Sequence, residues 1–590
     1  MKGLVKKIGI IALAGVFGAG ALSFAGCSND EYANMSTISI HYYNGGLGRD
    51  WVNESIAEFE ELFKDVSFEE GKKGVHVALT PDKQMDELPT KIATGSEKAD
   101  IIYTSDGNPV QLLNTDGILY DTTAIATEKV YNADGELTLN AAGDGFAVQE
   151  KGYSMYDRMH PYYKETYNLA GTEWQTNEGD VSFSLLPYED TLAGIVIDYD
   201  LYEELCIKYG IEDEMTGYTF EGDAVAMPGT WNEFFKLLTN IRDRESHNAG
   251  GYSGFMYAVD YYTGGWQDSI VADVDGTDED VTDPAQYSGY KMYTTYRGQY
   301  DFDGDGTKET TITDQNHHML TQTRGYRAAV DVALRFFEHG STGGENYDNG
   351  LMNNPTYSTA QMNFVMSKTS NYAPRILALF EGDWWENEAR ATFNSMGAIN
   401  AENAYGKRKF RMMPTPHYNK GDSDPYIMGA FSSGYPIIVN AKTVKGDPVK
   451  EKLVKLWLQF THSDSMMNVF TAWSGSVRPY IYDISEETKS KMTPFAQGIL
   501  EMQLEDRKND GEIKINRRNQ ITVSEDVRMT TSPVNFATKL ASGSSYRNGN
   551  IIANMVTMRK SQLSWEKSTL DTILNDYMDG MLRYRNVSLD

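Results

Sequence analysis

The sequence predicts an α/β fold that is divided into two lobes. Near the N-terminus, residues 37–43 alternate as a strand, apolar residues recur at helical spacing over 52–63, and a second strand follows at 74–80. Such alternation is typical of a mostly parallel sheet flanked by helices. A short apolar run at 194–199 follows Pro187 and leads directly into a helix, which is a natural place for the chain to cross between lobes. The 590 residues are enough for two such lobes.

Polar side chains follow the first and third predicted strands. Asn44 comes after the first strand, and Asp106 and Asn108 come after the strand at 99–103. In open parallel sheets, ligands bind outside the carboxyl ends of the strands, so these side chains are candidates for ligand contact. Asparagine and aspartate also favour turns, and turn formation alone would select the same residues.

The crossing segment resembles that of a known family, the extracellular solute-binding proteins of bacterial ABC importers, maltodextrin-binding type (family 1, carbohydrate-binding). Pro187, Tyr199 and residues 201–202 occupy the places of an "lP…yYN…lf…G" pattern. Two positions depart from it, because Asp200 stands where asparagine is usual and Cys206 where glycine is frequent. The resemblance implies a two-lobe periplasmic-binding-protein-like fold (type II), in which each lobe is a mostly parallel sheet flanked by helices and hinge strands join the lobes.

Further segments resemble the same family in order, from about residue 36 to the C-terminus. The stretch 228–234 reads P-x-T-W-x-E-F and opens a helix, with Thr230 as the predicted N-cap and Glu233 three residues later, a capping box. Residues 410–414 resemble the strand before the return crossing, and residues 431–441 resemble the return strand itself.

The resemblance also implies a division of the chain, with hinges near Pro187, Tyr435 and Arg478. The predicted segments are a signal peptide at 1–26, a tether at 27–35, an N-terminal lobe at 36–186 plus 428–480, and a C-terminal lobe at 187–427 plus 481–590. Residues 272–316 are longer and more acidic than a connection needs, so we interpret them as an insertion in the C-terminal lobe.

The N-terminal segment is typical of a secretion signal. Three lysines precede an apolar run at 8–25 that is rich in glycine and alanine and ends at Cys27. Residues 24–27 resemble the lipobox of bacterial lipoproteins, although Phe24 replaces the usual leucine. The resemblance implies cleavage before Cys27 and diacylation of its sulfur, which would hold the chain on the outer face of the cytoplasmic membrane. The alternative is an uncleaved membrane anchor, because the run is just long enough to span a bilayer.

Charge and cysteine content narrow the range of partners. The formal net charge of −31 repels polyanions, so we expect neither nucleic acid nor a strongly anionic sugar to bind. With Cys27 lipidated, Cys206 would be the remaining cysteine, and no intramolecular disulfide could form. Cys206 follows apolar residues in a predicted helix and is interpreted as a buried residue without a chemical role. We expect a monomer.

Aromatic residues make up 12% of the chain, including 38 Tyr and 9 Trp. Sugar rings have an apolar face and a hydroxyl rim, so a sugar site needs aromatic platforms with polar side chains around them. Trp384 and Trp385 form a "G-x-W-W"-like element that the family places at the cleft, and they are the predicted platforms; burial of both in the core is the alternative. The predicted ligand-binding residues, several of them implied by the resemblance, are Asn44, Asp106, Asn108, Tyr262, Trp266, Trp384, Trp385, Tyr435, Trp473 and Arg478.

A calcium-loop pattern, D-x-D-x-D-G, lies inside the predicted insertion. Its candidate ligands are Asp301, Asp303, Asp305, Thr307 and Glu309. The pattern departs from an EF-hand at its twelfth position, where Ile312 replaces glutamate. A structural calcium ion and a solvated acidic turn both fit these residues, and no other cofactor is expected.

The sequence lacks the common catalytic motifs H-E-x-x-H, G-x-S-x-G and the Walker loop. We therefore expect a binding protein, not an enzyme: a lipoprotein that captures a neutral carbohydrate, expected to be an oligosaccharide, and delivers it to the transmembrane subunits of an ABC permease. Two alternatives remain open. One is an extracellular glycoside hydrolase, because a pair of carboxylates cannot be chosen or dismissed among so many acids. The other is an importer component for peptides.

Overall fold

A computed structural model describes residues 32–517 apart from a set of internal gaps. The gaps are 83–84, 86, 105–111, 245–251, 257–263, 277–282, 288–290, 293–296, 302–305, 313–319, 321–322, 326–327, 330, 333–356, 368–374, 420–424 and 431–434. The signal and lipobox residues, and residues 518–590, lie outside the described part. Within the described residues, no helix combines the length and apolar character needed to cross a bilayer.

The strands, in chain order, are β1 Ser36–Tyr43, β2 Val75–Asp82, β3 Ile101–Tyr103, β4 Leu185–Pro187, β5 Leu192–Asp198, β6 Tyr252–Met256, β7 Gly298–Tyr300, β8 Thr310–Ile312, β9 Arg375–Gly382, β10 Phe410–Met413, β11 Tyr426–Ala430, β12 Pro436–Val439 and β13 Ile513–Asn516.

The α-helices are α1 Asp50–Phe63, α2 Leu88–Ala93, α3 Thr123–Thr127, α4 Met155–Arg158, α5 Pro161–Tyr167, α6 Tyr199–Tyr209, α7 Trp231–Arg244, α8 Gly264–Asp275, α9 Tyr357–Met366, α10 Trp385–Glu388, α11 Arg390–Ile399, α12 Ala441–Val444, α13 Pro448–Thr461, α14 Asp464–Ser474, α15 Glu486–Lys491 and α16 Pro494–Asp506. Short 3-10 helices lie at Glu212–Glu214, Pro284–Gln286 and Ala401–Asn403.

The first lobe is built on a five-stranded sheet with the order β2-β1-β3-β12-β4. β1 pairs in parallel with β2 and β3, whereas β12 runs antiparallel to β3 and β4. Four of the five strands therefore point the same way, and β12 is reversed. β12 enters this sheet from the other lobe, so it runs opposite to the strands that lead toward that lobe.

The second lobe is built on a six-stranded sheet with the order β13-β11-β5-β9-β6, to which β10 adds by pairing with β5. β5 is antiparallel to β9, β10 and β11, whereas β13 is parallel to β11 and β6 to β9. Here β5 is the reversed strand, and it too enters its sheet directly after a change of lobe. The predicted two-lobe α/β class is confirmed, and each sheet is mixed, with all of its strands but one pointing the same way.

Each sheet has its own hydrophobic core. The first core contains Trp51, Phe59 and Trp457, and the second contains Trp231, Trp385 and many residues of β5 and β9. β5 is buried along its whole length because helices or other segments cover both of its faces. Two separate cores are what a chain of this length needs, because a single core stops growing at about 250–300 residues.

The predicted crossing has the expected form, with its elements one or two residues earlier than predicted. The strand is Leu192–Asp198, and α6 begins at Tyr199. Asp198 caps this helix by accepting a hydrogen bond from the backbone N–H of Leu201 at 3.4 Å. A second predicted helix start is also found, since Thr230 Oγ1 accepts from the N–H of Glu233 at 3.3 Å. The Glu233 carboxylate accepts a hydrogen bond from the N–H of Gly229, whereas the predicted capping box would have it accept from the N–H of Thr230.

Within its described residues, the chain changes lobe at three places. The first lies between β4 and β5, and the second lies between Ala430 and Pro436. The predicted boundary at residue 428 falls inside β11, which is paired with β5 and β13 of the second sheet, so the change of lobe comes after it. The third follows α14, and α16 then contributes Leu500 to the first core and Ile499 to the second.

The predicted insertion contains a small two-stranded antiparallel unit. Gly298 pairs with Ile312 and Tyr300 with Thr310. The Tyr300 hydroxyl donates to Asp275 at the end of α8, at 3.2 Å, which holds this unit against the second lobe.

Candidate functional site

The strands that point toward the crossings end where the two lobes meet. β1 ends at Tyr43 and leads into a loop at residues 44–48 in the first lobe. β9 ends at Gly382 and leads into residues 383–384 and α10 in the second lobe. Since carboxyl ends of such strands are where α/β sheets bind ligands, this surface is the candidate site.

Trp384 belongs to the second lobe by sequence but packs with the core of the first lobe. Its indole lies between two glycines. A Cβ atom on Gly46 would lie 2.3 Å from Trp384 Cδ1, and one on Gly382 would lie 2.2 Å from Trp384 Cη2. Trp384 as a whole residue is 8% exposed. Trp384 therefore lies between the lobes, with little of its surface open.

Trp385 has a different position, which corrects its predicted role. It is fully buried in the second core, with its ring centroid 5.0 Å from that of Phe410 and 5.6 Å from that of Phe364. A ring enclosed in this way has no face to offer to a sugar. Trp385 opens α10, and its side chain points to the sheet that it helps to cover, so it is a core residue and not a platform.

Several polar contacts accompany Trp384 across the interface. Asn387 Nδ2 donates to the carbonyl oxygens of Ser474 at 2.9 Å and of Trp473 at 3.2 Å. Arg390 Nη1 lies 3.1 Å from Asp50 Oδ2 at the start of α1. We call this surface the interlobe seam. Its first-lobe members are Gly46, Asp50, Trp473, Ser474 and Ser476, and its second-lobe members are Asp383, Trp384, Asn387 and Arg390.

Two buried acids lie at the base of the seam. Ser476 Oγ donates to Asp383 Oδ2 at 3.0 Å, and the Asp383 N–H donates to the Leu192 carbonyl at 2.9 Å. Burial raises the pKa of Asp383 to about 8. Burial, with the neighbouring Asp383 carboxyl as the next cause, also raises the pKa of Glu189 well above its ordinary value. At neutral pH the Asp383 carboxyl is therefore mostly protonated and adds little charge to the seam, and burial disfavours the charged form of Glu189 as well.

Arg478 and Tyr435, two other predicted ligand contacts, lie at the crossings. The Arg478 guanidinium is fully buried; its Cζ is 5.0 Å from the Trp51 ring centroid and its Nη1 donates to the Tyr188 carbonyl at 2.9 Å. This corrects the prediction for Arg478, because a group held in this way stabilises the crossing instead of facing a ligand. Tyr435 is half-buried, and its carbonyl accepts from the Tyr188 N–H at 3.1 Å.

Asn44 and Trp473 border the seam. Asn44 is half-buried at the start of the 44–48 loop, and its N–H donates to the Asp82 carbonyl at 2.7 Å. The Trp473 indole N–H donates to the carboxylate of Glu54. The Trp473 backbone carbonyl accepts a hydrogen bond from Asn387 Nδ2. Both residues therefore stay candidates for ligand contact.

Some predicted residues lie outside the described part of the chain. They are Cys27, Asp106, Asn108, Tyr262, Asp303 and Asp305, and the side chain of Trp266, whose backbone is in α8. Calcium binding thus stays a prediction. Asp301 Oδ2 accepts the Gly306 N–H at 2.7 Å, which is compatible with either a calcium loop or a turn. Among the residues that are described, no group of His, Cys, Asp or Glu side chains is arranged to hold a metal ion.

Sequence reasoning missed seven members of the seam, namely Gly46, Asp50, Ser474, Ser476, Asp383, Asn387 and Arg390. Gly46, Ser476 and Asn387 belong to no sequence motif. Each of them, like Asp383, gains its role from a partner that is distant in the sequence. A weak signal existed for Gly46, because paired glycines directly after a strand permit close approach of another chain segment. Asp383 was visible only as part of the G-x-W-W element.

No protein-family model matches this chain, and a search of curated proteins finds no match. Among solved structures, the chain is similar to the solute-binding protein RafE in complex with raffinose, with 13% identity, coverage of 90% of this chain and 100% of that one, and a TM-score of 0.48. A probable secreted solute-binding lipoprotein from Streptomyces coelicolor gives 10% identity, 90% and 100% coverage and a TM-score of 0.49. The maltotriose-binding protein of Thermus thermophilus, bound with maltotriose, gives 14% identity, coverage of 89% of this chain and 100% of that one, and a TM-score of 0.43. Likenesses this distant say nothing about the ligand, so the function must be argued from this chain's own residues.

Proposed function

We propose that this chain is an extracytoplasmic solute-binding lipoprotein of an ABC importer. It captures a neutral carbohydrate, expected to be an oligosaccharide, between its lobes and delivers it to the permease. The observation that carries the proposal is the interlobe seam, where a tryptophan and several hydrogen-bonding groups meet between two lobes that have separate cores. The resemblance of the crossing segment and of residues 228–234 to carbohydrate-binding members of that class supports it.

The chemistry of the seam suits an uncharged ligand. Asp383 is mostly protonated at neutral pH, burial disfavours the charged form of Glu189, and Arg390 is paired with Asp50. An ionic ligand would therefore find no unpaired opposite charge among these four groups, and burying its charge would be costly. An indole face and amide, hydroxyl and carbonyl groups, by contrast, fit the apolar face and the hydroxyl rim of a sugar.

The mechanism follows from having two cores that are joined, in the part of the chain that the structure describes, at three crossings. Each lobe keeps its own packing when the lobes rotate, so the change can be confined to the few residues of the crossings. A ligand that contacts both lobes at once stabilises the closed arrangement, because those contacts exist only there. Asp383 and Glu189 are buried at the base of the seam, so they do not form an exposed acid pair of the kind that glycoside hydrolysis needs.

Titration calorimetry with a panel of probes tests the proposal. The panel contains maltotriose, raffinose and triacetylchitotriose as neutral sugars, trigalacturonate as an anionic one, and tri-alanine as a peptide. We expect saturable binding of at least one neutral sugar, no binding of trigalacturonate or tri-alanine, and no release of reducing ends on long incubation. Binding of the peptide alone would support the peptide-importer alternative, and release of reducing ends would support the hydrolase.

The lipid anchor is the second part of the proposal and needs its own measurement. Detergent-free fractionation of the producing bacterium should place the wild-type chain with membranes, and mass spectrometry should find a diacylated Cys27. Cys27→Ala should remove that modification. An unmodified Cys27 in a membrane-associated chain would instead favour the uncleaved anchor.

A further inference from the structure

One short segment of the second lobe supplies a set of contacts across the seam. Trp384 lies against Gly46, Asn387 donates to two carbonyls at the end of α14, and Arg390 pairs with Asp50. These three side chains fall within seven residues, and each contacts a different part of the first lobe. We call Trp384, Asn387 and Arg390 the latch.

The contact at Gly46 is steric and not a matter of backbone conformation. Gly46 is absent from the glycines with positive φ, so its backbone would accept an L-amino acid. The indole would not, since a Cβ there would lie 2.3 Å from Cδ1 and 2.4 Å from Cγ of Trp384. The absence of a side chain at residue 46 is therefore what allows the loop to cover the ring.

The covering of Trp384 conflicts with its use as a platform. The ring of a residue that is 8% exposed cannot stack on a sugar until something moves away from it. Gly382 belongs to the same lobe and moves with Trp384, whereas Gly46 belongs to the other lobe. The 44–48 loop is thus the part that separates from the ring when the lobes open.

We propose that the latch closes the ligand-free chain on itself, with the 44–48 loop seated on Trp384 in the place that a sugar ring takes in the loaded chain. This inference depends on the proposed function, because it assigns Trp384 to sugar stacking. Ligand binding then requires the latch to open first, and the apparent affinity is lowered by the fraction of chains that are closed. The latch is in this sense an autoinhibitory contact.

Gly46→Ala tests the latch, and Gly45→Ala is its matched control. Both add one methyl group to the same loop, but a Cβ on Gly45 would lie 2.3 Å from Tyr43 Cε1, within the first lobe, and Gly45 has no positive φ either. Circular dichroism and thermal unfolding would first show that both variants fold. Small-angle scattering and acrylamide quenching of tryptophan fluorescence, corrected with matching Trp384→Phe chains, then report opening without any ligand.

We expect Gly46→Ala to increase both the radius of gyration and the quenching at Trp384, and Gly45→Ala to leave both at the wild-type values. The Kd for the neutral sugar that binds best should fall about three- to tenfold in Gly46→Ala, because less of the chain is closed. Unchanged scattering and quenching in Gly46→Ala would overturn the proposal. Weaker sugar binding in Gly46→Ala would also overturn it, because the contact would then belong to the loaded state.

Failure of the proposed function would look different. If no sugar of the panel bound to wild type or to Gly46→Ala, the carbohydrate assignment would fall. The scattering and quenching data would still decide whether residues 44–48 close over Trp384, since neither measurement needs a ligand.

Discussion

Trp384 and Trp385 are neighbours in the sequence but belong to different regions of the molecule. Trp385 is fully buried among the phenylalanines of the second core, whereas Trp384 crosses to the first lobe and lies against Gly46. The two tryptophans are therefore buried in different ways. One ring is buried by its own lobe and stays so, and the other is buried by the partner lobe and is uncovered when the lobes separate.

The largest expected effect of a substitution at fixed pH is at Trp385. Trp385→Ala should lower the free energy of unfolding by about 3–5 kcal/mol, because it removes a large side chain from a closely packed core. Chemical denaturation followed by far-UV circular dichroism measures this. If the variant were as stable as wild type and lost only sugar binding, the assignment of Trp385 to the core would be wrong.

The second effect concerns the acids beneath the latch. The folded-state pKa of Asp383 is raised from 3.8 to about 8 by burial, so between these values the folded chain holds a proton that the unfolded chain has released. Its contribution to stability is full below about pH 4 and is lost as pH rises toward 8, by an amount on the order of 6 kcal/mol. Glu386, whose pKa burial raises to about 7, acts in the same direction.

Asp383→Asn checks this sign, because the amide cannot titrate but can still accept from Ser476. Denaturation curves measured from pH 5 to pH 8 should show a smaller loss of stability in the variant than in wild type. An equal slope in both chains would mean that Asp383 is ionised throughout this range.

Trp384→Ala should affect sugar affinity more than stability, which is the reverse of what we expect for Trp385→Ala. We expect sugar affinity to fall at least tenfold, about 1.4 kcal/mol, with a smaller loss of stability than at Trp385. Trp174→Ala is the matched control, because Trp174 is a partly exposed tryptophan of the first lobe whose indole donates to Asn114. Unchanged sugar affinity in Trp384→Ala would show that Trp384 is not a platform for the sugar either.

The smallest effect is expected at the outer end of the latch. Arg390 and Asp50 are both partly exposed, so Arg390→Gln should cost about 0.2–1 kcal/mol, with less effect at high salt. Small-angle scattering at low and high ionic strength would show a slight opening at low salt only. An opening as large as that of Gly46→Ala would shift the main closing contact from the ring to the ion pair.

Much of the fold could be predicted from local patterns. The crossing strand, the helix after it and the Thr230 cap depend on residues a few positions apart, and backbone preference and periodicity act over such distances. The division into two lobes followed from the length and from the resemblance. The exact change of sheet at Ala430 was missed because pairing with β5 and β13 involves partners far along the chain.

The candidate site was predicted less well, for the same physical reason. The resemblance implied that Trp384, Trp385 and Trp473 lie at the cleft between the lobes. It could not decide which of two adjacent indoles faces which lobe, nor that Gly46 makes room for one of them. Those facts depend on contacts such as that between Asp50 and Arg390, which lie 340 residues apart and meet only when both lobes have folded and closed.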